Sequence, residues 1–165
     1  MTSLRSRSVR TGIAVGMLIV FGNTLPQPAS AASRCAPAAT AQSDVVEVMR
    51  SMFAAMRVDD LTRFQEIATP DFYAYDGGVR FTGPASLVDL IKKLHASGKR
   101  YEWSVTQPEV HVACNVAWIT YVDQGSVEDA SGRQAVTWLE SAVLEYANAR
   151  WRIHFIHSTR APKAT

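Results

Sequence analysis

The sequence contains only two cysteines, Cys35 and Cys114, and they do not form a zinc-binding pattern. It has no Lys/Arg run, no glycine-rich phosphate loop, no nucleophile elbow and no dinucleotide fingerprint. These absences remove the simplest signs of nucleic-acid binding, attachment to an anionic membrane, nucleotide use and serine-hydrolase chemistry. No cofactor and no metal are expected. Internal repeats are absent, and the apolar run Gly12–Phe21 is too short to span a bilayer as a stable helix.

That run has another reading. Arg5, Arg7 and Arg10 precede it, and Ala29-Ser30-Ala31 follows it. This is the three-part layout of a secretory signal peptide, residues 1–31, cleaved after Ala31. The alternative is a membrane anchor. Lipidation at Cys35 is disfavoured because Arg34 stands where a small residue is needed. A periplasmic or extracellular location is expected, with no membrane insertion of the mature chain.

The whole chain of 165 residues has a formal net charge of +2. The leader takes three Arg and no acid, which leaves −1 on the remaining 134 residues. The mature protein therefore gives no charge-based case for nucleic acid. Its length suits one domain with one core. An exported chain meets oxidising conditions, so Cys35 and Cys114 either pair or remain free; both are open.

Residues 32–43 are rich in Ala, Ser and Pro and read as a flexible linker. Asp44 with Glu47 marks a helix start, and Val45, Met49, Met52, Phe53 and Met56 make an apolar stripe to about Val58. Asp59-Asp60 caps a short helix ending before Pro70. Phe72–Asp76 alternates as a strand, Gly77-Gly78 turns, and Val79–Thr82 returns. Gly83-Pro84 opens a third helix that ends at Gly98. Four long strands follow, Tyr101–Val112, Val116–Val122, Gln134–Tyr146 and Trp151–Ser158, joined by turns short enough to require antiparallel neighbours. This order predicts an α+β domain over 44–160, with a five-residue tail at 161–165. Three helices pack on a curved antiparallel sheet and leave a cone-shaped cavity at the open end.

Four stretches carry a family resemblance: Asp59–Phe64 (DDLTRF), Thr69–Gly78 (TPDFYAYDGG), Phe81–Leu87 (FTGPASL) and Trp151–Pro162 (WRIHFIHSTRAP). With them, residues 44–160 resemble the nuclear transport factor 2-like superfamily, in its SnoaL-like and ketosteroid isomerase-like branch. The resemblance implies the cone fold. It leaves function open, because the superfamily hosts isomerases, cyclases, dehydratases, carriers and assembly modules. Its isomerases use an aspartate base, a neutral acid and a tyrosine, as in ketosteroid isomerase. Asp76 matches the base and Glu140 the acid. Met52 or Phe53 stands where the tyrosine would be, which puts steroid isomerisation in doubt. The ending also resembles the association domain of calcium/calmodulin-dependent kinases, where a histidine takes the place of His157.

Read from the residues themselves, Asp76 is either a turn initiator for Gly77-Gly78 or a general base. Glu140 is a lone carboxylate inside an apolar strand, either a satisfied structural group or a pocket acid. His154 and His157 are three apart, which places them on opposite faces of a regular strand. His157, sharing a face with Trp151, Ile153 and Phe155, becomes the pocket candidate. Tyr73, Tyr75, Trp118 and Trp138 are core aromatics or ligand contacts, and Arg80 is a solvated charge or an anion contact. Three functions follow: a small-molecule binding module, a cofactor-independent enzyme using Asp76 with Glu140 or His157, and a homodimeric assembly module joined through the outer face of the sheet. Apolar or aromatic ligands are expected.

Overall fold

The computed structural model describes residues 35–162; the leader, the start of the linker and the last three residues lie outside them. Helix α1 covers Ala41–Arg57, α2 Leu61–Ile67 and α3 Pro84–Ala96. The strands are β1 Ala68–Asp76, β2 Val79–Thr82, β3 Arg100–Glu102, β4 Val105–Ala113, β5 Val116–Asp129, β6 Gly132–Ala147 and β7 Arg150–Arg160. α1 begins three residues before Asp44, whose carboxylate accepts from the Thr40 hydroxyl inside the first turn. α2 is capped as its sequence indicates, with Asp60 accepting from the Arg63 N–H at 2.9 Å. The domain is α+β, with the helices packed on one face of a curved, unclosed sheet.

The strands run in the order β2-β1-β7-β6-β5-β3, with β4 also paired to β5. β5, β6 and β7 form a long antiparallel meander. β1 instead pairs parallel to β7, so the sheet is mixed. Turn length governs only strands adjacent in sequence, and this pair closes over most of the chain. β5 continues past Val122 to Asp129, beyond its expected end. It bends onto two partners there, β4 alongside its first half and β3 alongside its last residues. Gly125 sits at the changeover, where a Cβ would fall on the Glu102 carbonyl oxygen. Only glycine admits so close an approach.

Two irregularities position the rest. In β7, Phe155 pairs with Val143 and Ile153 with Leu144, so His154 is an extra residue in the ladder. A one-residue bulge turns every later side chain to the other face. Before it, Trp151 and Ile153 are buried against the helices; after it, Ile156, Ser158 and Arg160 point inward. At the chain start, Cys35 is bonded to Cys114, Ala36 is buried, and the Ala36 N–H reaches the Cys114 carbonyl at 3.1 Å. From Cys35 onward, the segment read as linker is tied to the β4–β5 turn.

The core fills the space between helices and sheet, with Val45, Met49, Phe64, Phe72, Ile119 and Leu144 fully buried. At one end the packing stays open. His95 near the end of α3 reaches Asp59, in the α1–α2 connection, at 3.0 Å and fixes the helices around that opening. Among the described residues no helix is long and apolar enough to cross a membrane.

Candidate functional site

A cavity of about 300 Å³ occupies the open end. Its helical side is apolar: Met52, Phe53 and Met56 from α1, and Leu87, Ile91 and Leu94 from α3. One wall is an aromatic stack in which Tyr101 lies on Trp103 (5.3 Å between ring centres) and Trp103 on Phe53 (5.5 Å). Lys99, Asp129, Gln134 and Arg160 bring polar groups to the lining. Neither Lys99 nor Arg160 makes an ion pair among the described residues.

The sheet side carries the chemistry. Strand register sets Asp76 beside Ser158, Ser158 beside Glu140, and Glu140 beside Tyr121. One polar residue from each of β1, β7, β6 and β5 thus forms a single row across the concave face. Strands lie about 4.8 Å apart, so the Asp76 and Glu140 backbones are about 10 Å apart, roughly the width of one small ring system. Both residues line the cavity.

Glu140 is 8% exposed, and burial pushes its carboxyl up to about 7. The Tyr121 hydroxyl and Ser158 draw it down, while the charges of Asp123 and Asp76 raise it further. The Asp76 carboxyl is also raised by burial, against a downward pull from the Gly77 N–H, Ser158 and His157. Its contact with Gly77 fits the turn role foreseen for it; its place on the cavity wall adds the second. Behind Glu140, Tyr121 is 3% exposed and Asp123 is fully buried. Burial pushes Asp123 up to about 6 and Tyr121 well above its ordinary range. Tyr121 Oη, Glu140 Oε2 and Asp123 Oδ2 are all buried with no hydrogen-bond partner among the described residues.

Of the residues singled out in the sequence, Asp76, Glu140 and Trp138 face this cavity, and Tyr75 borders it. The Tyr75 ring lies on the opposite face, against Tyr73, Phe155 and His157. His157 is not in the cavity. The bulge at His154 puts it on the convex face, exposed, with Ser158 taking the inward position. His154 is on the same convex side, beside Tyr73 and near Asp71 and Glu145, so the two histidines are not on opposite faces. Tyr73 is convex as well, with the Arg80 guanidinium 5.0 Å above its ring. Trp118 is 46% exposed and stacks on His111. None of Tyr73, Arg80, Trp118 or His157 can touch a molecule in this cavity. Among the described residues no cluster of three or more His, Cys, Asp or Glu side chains could hold a metal.

A family model for the SnoaL-like domain matches residues 45–162. The chain belongs to the SnoaL-like domain family. Solved structures share this fold at low identity. A proposed dehydratase of the NTF2-like family from Streptomyces avermitilis is 13% identical, with a TM-score of 0.65 over 75% of this chain and 98% of that one. A protein of unknown function from Mycobacterium tuberculosis is 16% identical, with a TM-score of 0.64 over 72% and 75%. The association domain of C. elegans CaMKII is 18% identical, with a TM-score of 0.62 over 73% and 96%. No curated protein matches the chain.

Within this SnoaL-like domain, sequence reasoning missed Ser158, Tyr121 and Asp123 as polar site groups. Ser158 was hidden by the bulge. The inward alternation Ile119-Tyr121-Asp123 is a usable signal, but Tyr121 reads as one more core aromatic and Asp123 lies beyond the expected strand end at Val122.

Proposed function

We propose that this exported SnoaL-like protein binds a small, planar, largely apolar molecule with one polar edge, and moves a proton on it without a cofactor. The observation that carries this reading is the Asp76–Ser158–Glu140 row facing the apolar helical side of the cavity. An apolar carrier has no use for two desolvated carboxyls, whose burial costs stability. Asp76, contacted by the Gly77 N–H and Ser158, has the surroundings of a base. Glu140, raised to about 7, remains largely an acid below neutral pH and can donate to a carbonyl or enolate oxygen. The apolar helices and the Tyr101–Trp103–Phe53 stack favour a flat body. The Cys35–Cys114 disulfide and the leader-like start support export.

The test is deuterium exchange into a small enolisable bicyclic ketone, 1-tetralone, in heavy water. The protein is expected to speed exchange at the carbon next to the carbonyl, and Asp76→Asn to remove roughly 100-fold or more of that rate. Exchange no faster than in buffer, or unchanged in Asp76→Asn, would defeat the proton-transfer reading. Thermal stabilisation by the ketone alone would leave a binding pocket.

A second property has its own observation. On the convex face, Trp118, Leu139 (53% exposed) and Val116 present apolar surface. The similarity to a kinase association domain supports the same idea. We read this face as a homodimer contact. Sedimentation is expected to give twice the protomer mass, and Trp118→Glu to halve it. A wild-type monomer at micromolar concentration contradicts it.

A further inference from the structure

Asp123 is the one fully buried carboxyl that the proposed chemistry does not use. It lies on β5 two residues beyond Tyr121, on the same inward face. Its Oδ1 accepts the Ser104 N–H at 2.7 Å, and its Oδ2 has no partner. It is absent from the cavity lining, so it cannot touch a ligand there. The cation with most influence on it, Arg57, is engaged elsewhere, with Glu102 at 3.1 Å and the Trp103 carbonyl at 2.7 Å. Asp123 is therefore a buried acid without an ion-pair partner, set behind Tyr121 and Glu140.

Tyr121 and Glu140 act on each other across paired strands, which leaves Asp123 Oδ2 as the buried oxygen of this neighbourhood that needs an explanation. A buried oxygen left unpaired is costly. Such a group in a core of otherwise apolar residues is expected where function opposes stability.

We infer that Asp123 is a positioning residue that adds to burial in holding Glu140 in its acid form, so that the cavity offers a ligand a proton donor rather than a carboxylate. The inference rests on the reading of Glu140 as the cavity acid. Two carboxyls sharing one poorly solvated region resist double ionisation, and their protons come off in two steps that belong to the pair. Local contacts decide which one holds the proton. The Ser104 N–H and the positive charge of Arg57 favour the charged form of Asp123. Glu140 has neither.

The other groups around Glu140 act as follows. Asp76 on β1 adds a second negative charge, while Ser158 on β7 and Tyr121 on β5 present hydroxyls. Tyr101 on β3 lines the same cavity, with Lys99 just before that strand and Arg160 at the end of β7. α1 and α3 present only apolar side chains to the cavity.

The test follows the Glu140 carboxyl directly by carbon-13 NMR of protein labelled at glutamate and aspartate, the signals being assigned by their loss in Glu140→Gln and in Asp123→Asn. Asp123→Asn removes the charge yet keeps an oxygen for the Ser104 N–H. It is expected to lower the Glu140 midpoint by about one pH unit, whereas Tyr121→Phe, which removes a hydroxyl and no charge, does not lower it. An unmoved midpoint in folded Asp123→Asn overturns the inference and leaves Asp123 as a tie to Ser104 alone. If Asp123→Asn does not fold, the wild-type protein decides. Its Glu140 signal must show a second inflection where the Asp123 signal titrates, and a single inflection overturns the inference. Failure of the underlying function looks different: Glu140→Gln would bind 1-tetralone as tightly as wild type, while the shift in Asp123→Asn persisted.

Discussion

Removing the Cys35–Cys114 disulfide is expected to lower folding stability by about 4–5 kcal/mol. The bond joins residues 79 apart in sequence. A closed loop of that size restricts the unfolded chain far more than the folded one, which is where chain entropy assigns most of the effect. Local contacts add to it. The disulfide holds Ala36 in its buried place and the Ala36 N–H on the Cys114 carbonyl, and α1 starts five residues later. Losing that anchor frees the front of the helix that forms one wall of the cavity. Domains of this size have about 5–15 kcal/mol in total, so the double variant Cys35→Ser/Cys114→Ser should be marginal. Urea unfolding of the two proteins measures it. A difference below about 1 kcal/mol would show that the anchor contributes little and that the arm docks by its own contacts.

Folding stability should fall as pH rises from 5 to 8. Most proteins approach their best stability across this range, so the direction is diagnostic. The folded Glu140 carboxyl is raised from its ordinary 4.5 to about 7. Below 4.5 it is protonated in both states and costs nothing extra. Above 4.5 the unfolded chain ionises while the folded protein resists, and stability declines until the pH passes about 7. The full loss from this one group is about 3 kcal/mol. Asp123 and Asp76, also raised, act in the same direction. Asp71 and Asp129 are lowered, so their effect appears only in more acidic solution, outside this window. Glu140→Gln should flatten most of the slope and raise stability at pH 8. A wild-type stability that is level or rising from pH 5 to 8 contradicts a buried Glu140.

Asp76 and Glu140 were legible because each breaks a local pattern. One carboxylate precedes a Gly-Gly turn, and the other interrupts a run of inward-facing apolar residues. The helices and the strand order of the meander were legible from periodicity and short turns. What escaped depends on pairing between strands. Alternation placed Trp151 and Ile153 correctly, then failed at His154, because a bulge is defined by the partner strand and leaves no mark on its own. That single extra residue exchanged His157 for Ser158 in the site. The same limit hid the parallel β1–β7 contact, which brings Asp76 level with Ser158, 82 positions further along the chain. It also hid the length of β5, since nothing in Gln124-Gly125-Ser126 marks a continuing strand until β3 is seen to pack where a Gly125 Cβ would stand. Tyr73 and Tyr75 were correctly put on one face; nothing in their alternation says which face the helices cover.

A crystal structure of the protein soaked with 2-naphthol at pH 5.5 tests the central claim most directly. The ring should lie between the helices and the Tyr101–Trp103 stack, with its oxygen about 2.5–3.0 Å from the Glu140 carboxyl. Naphthol bound only on the convex face, or a closed space filled by Trp138 and Leu94, would contradict the account.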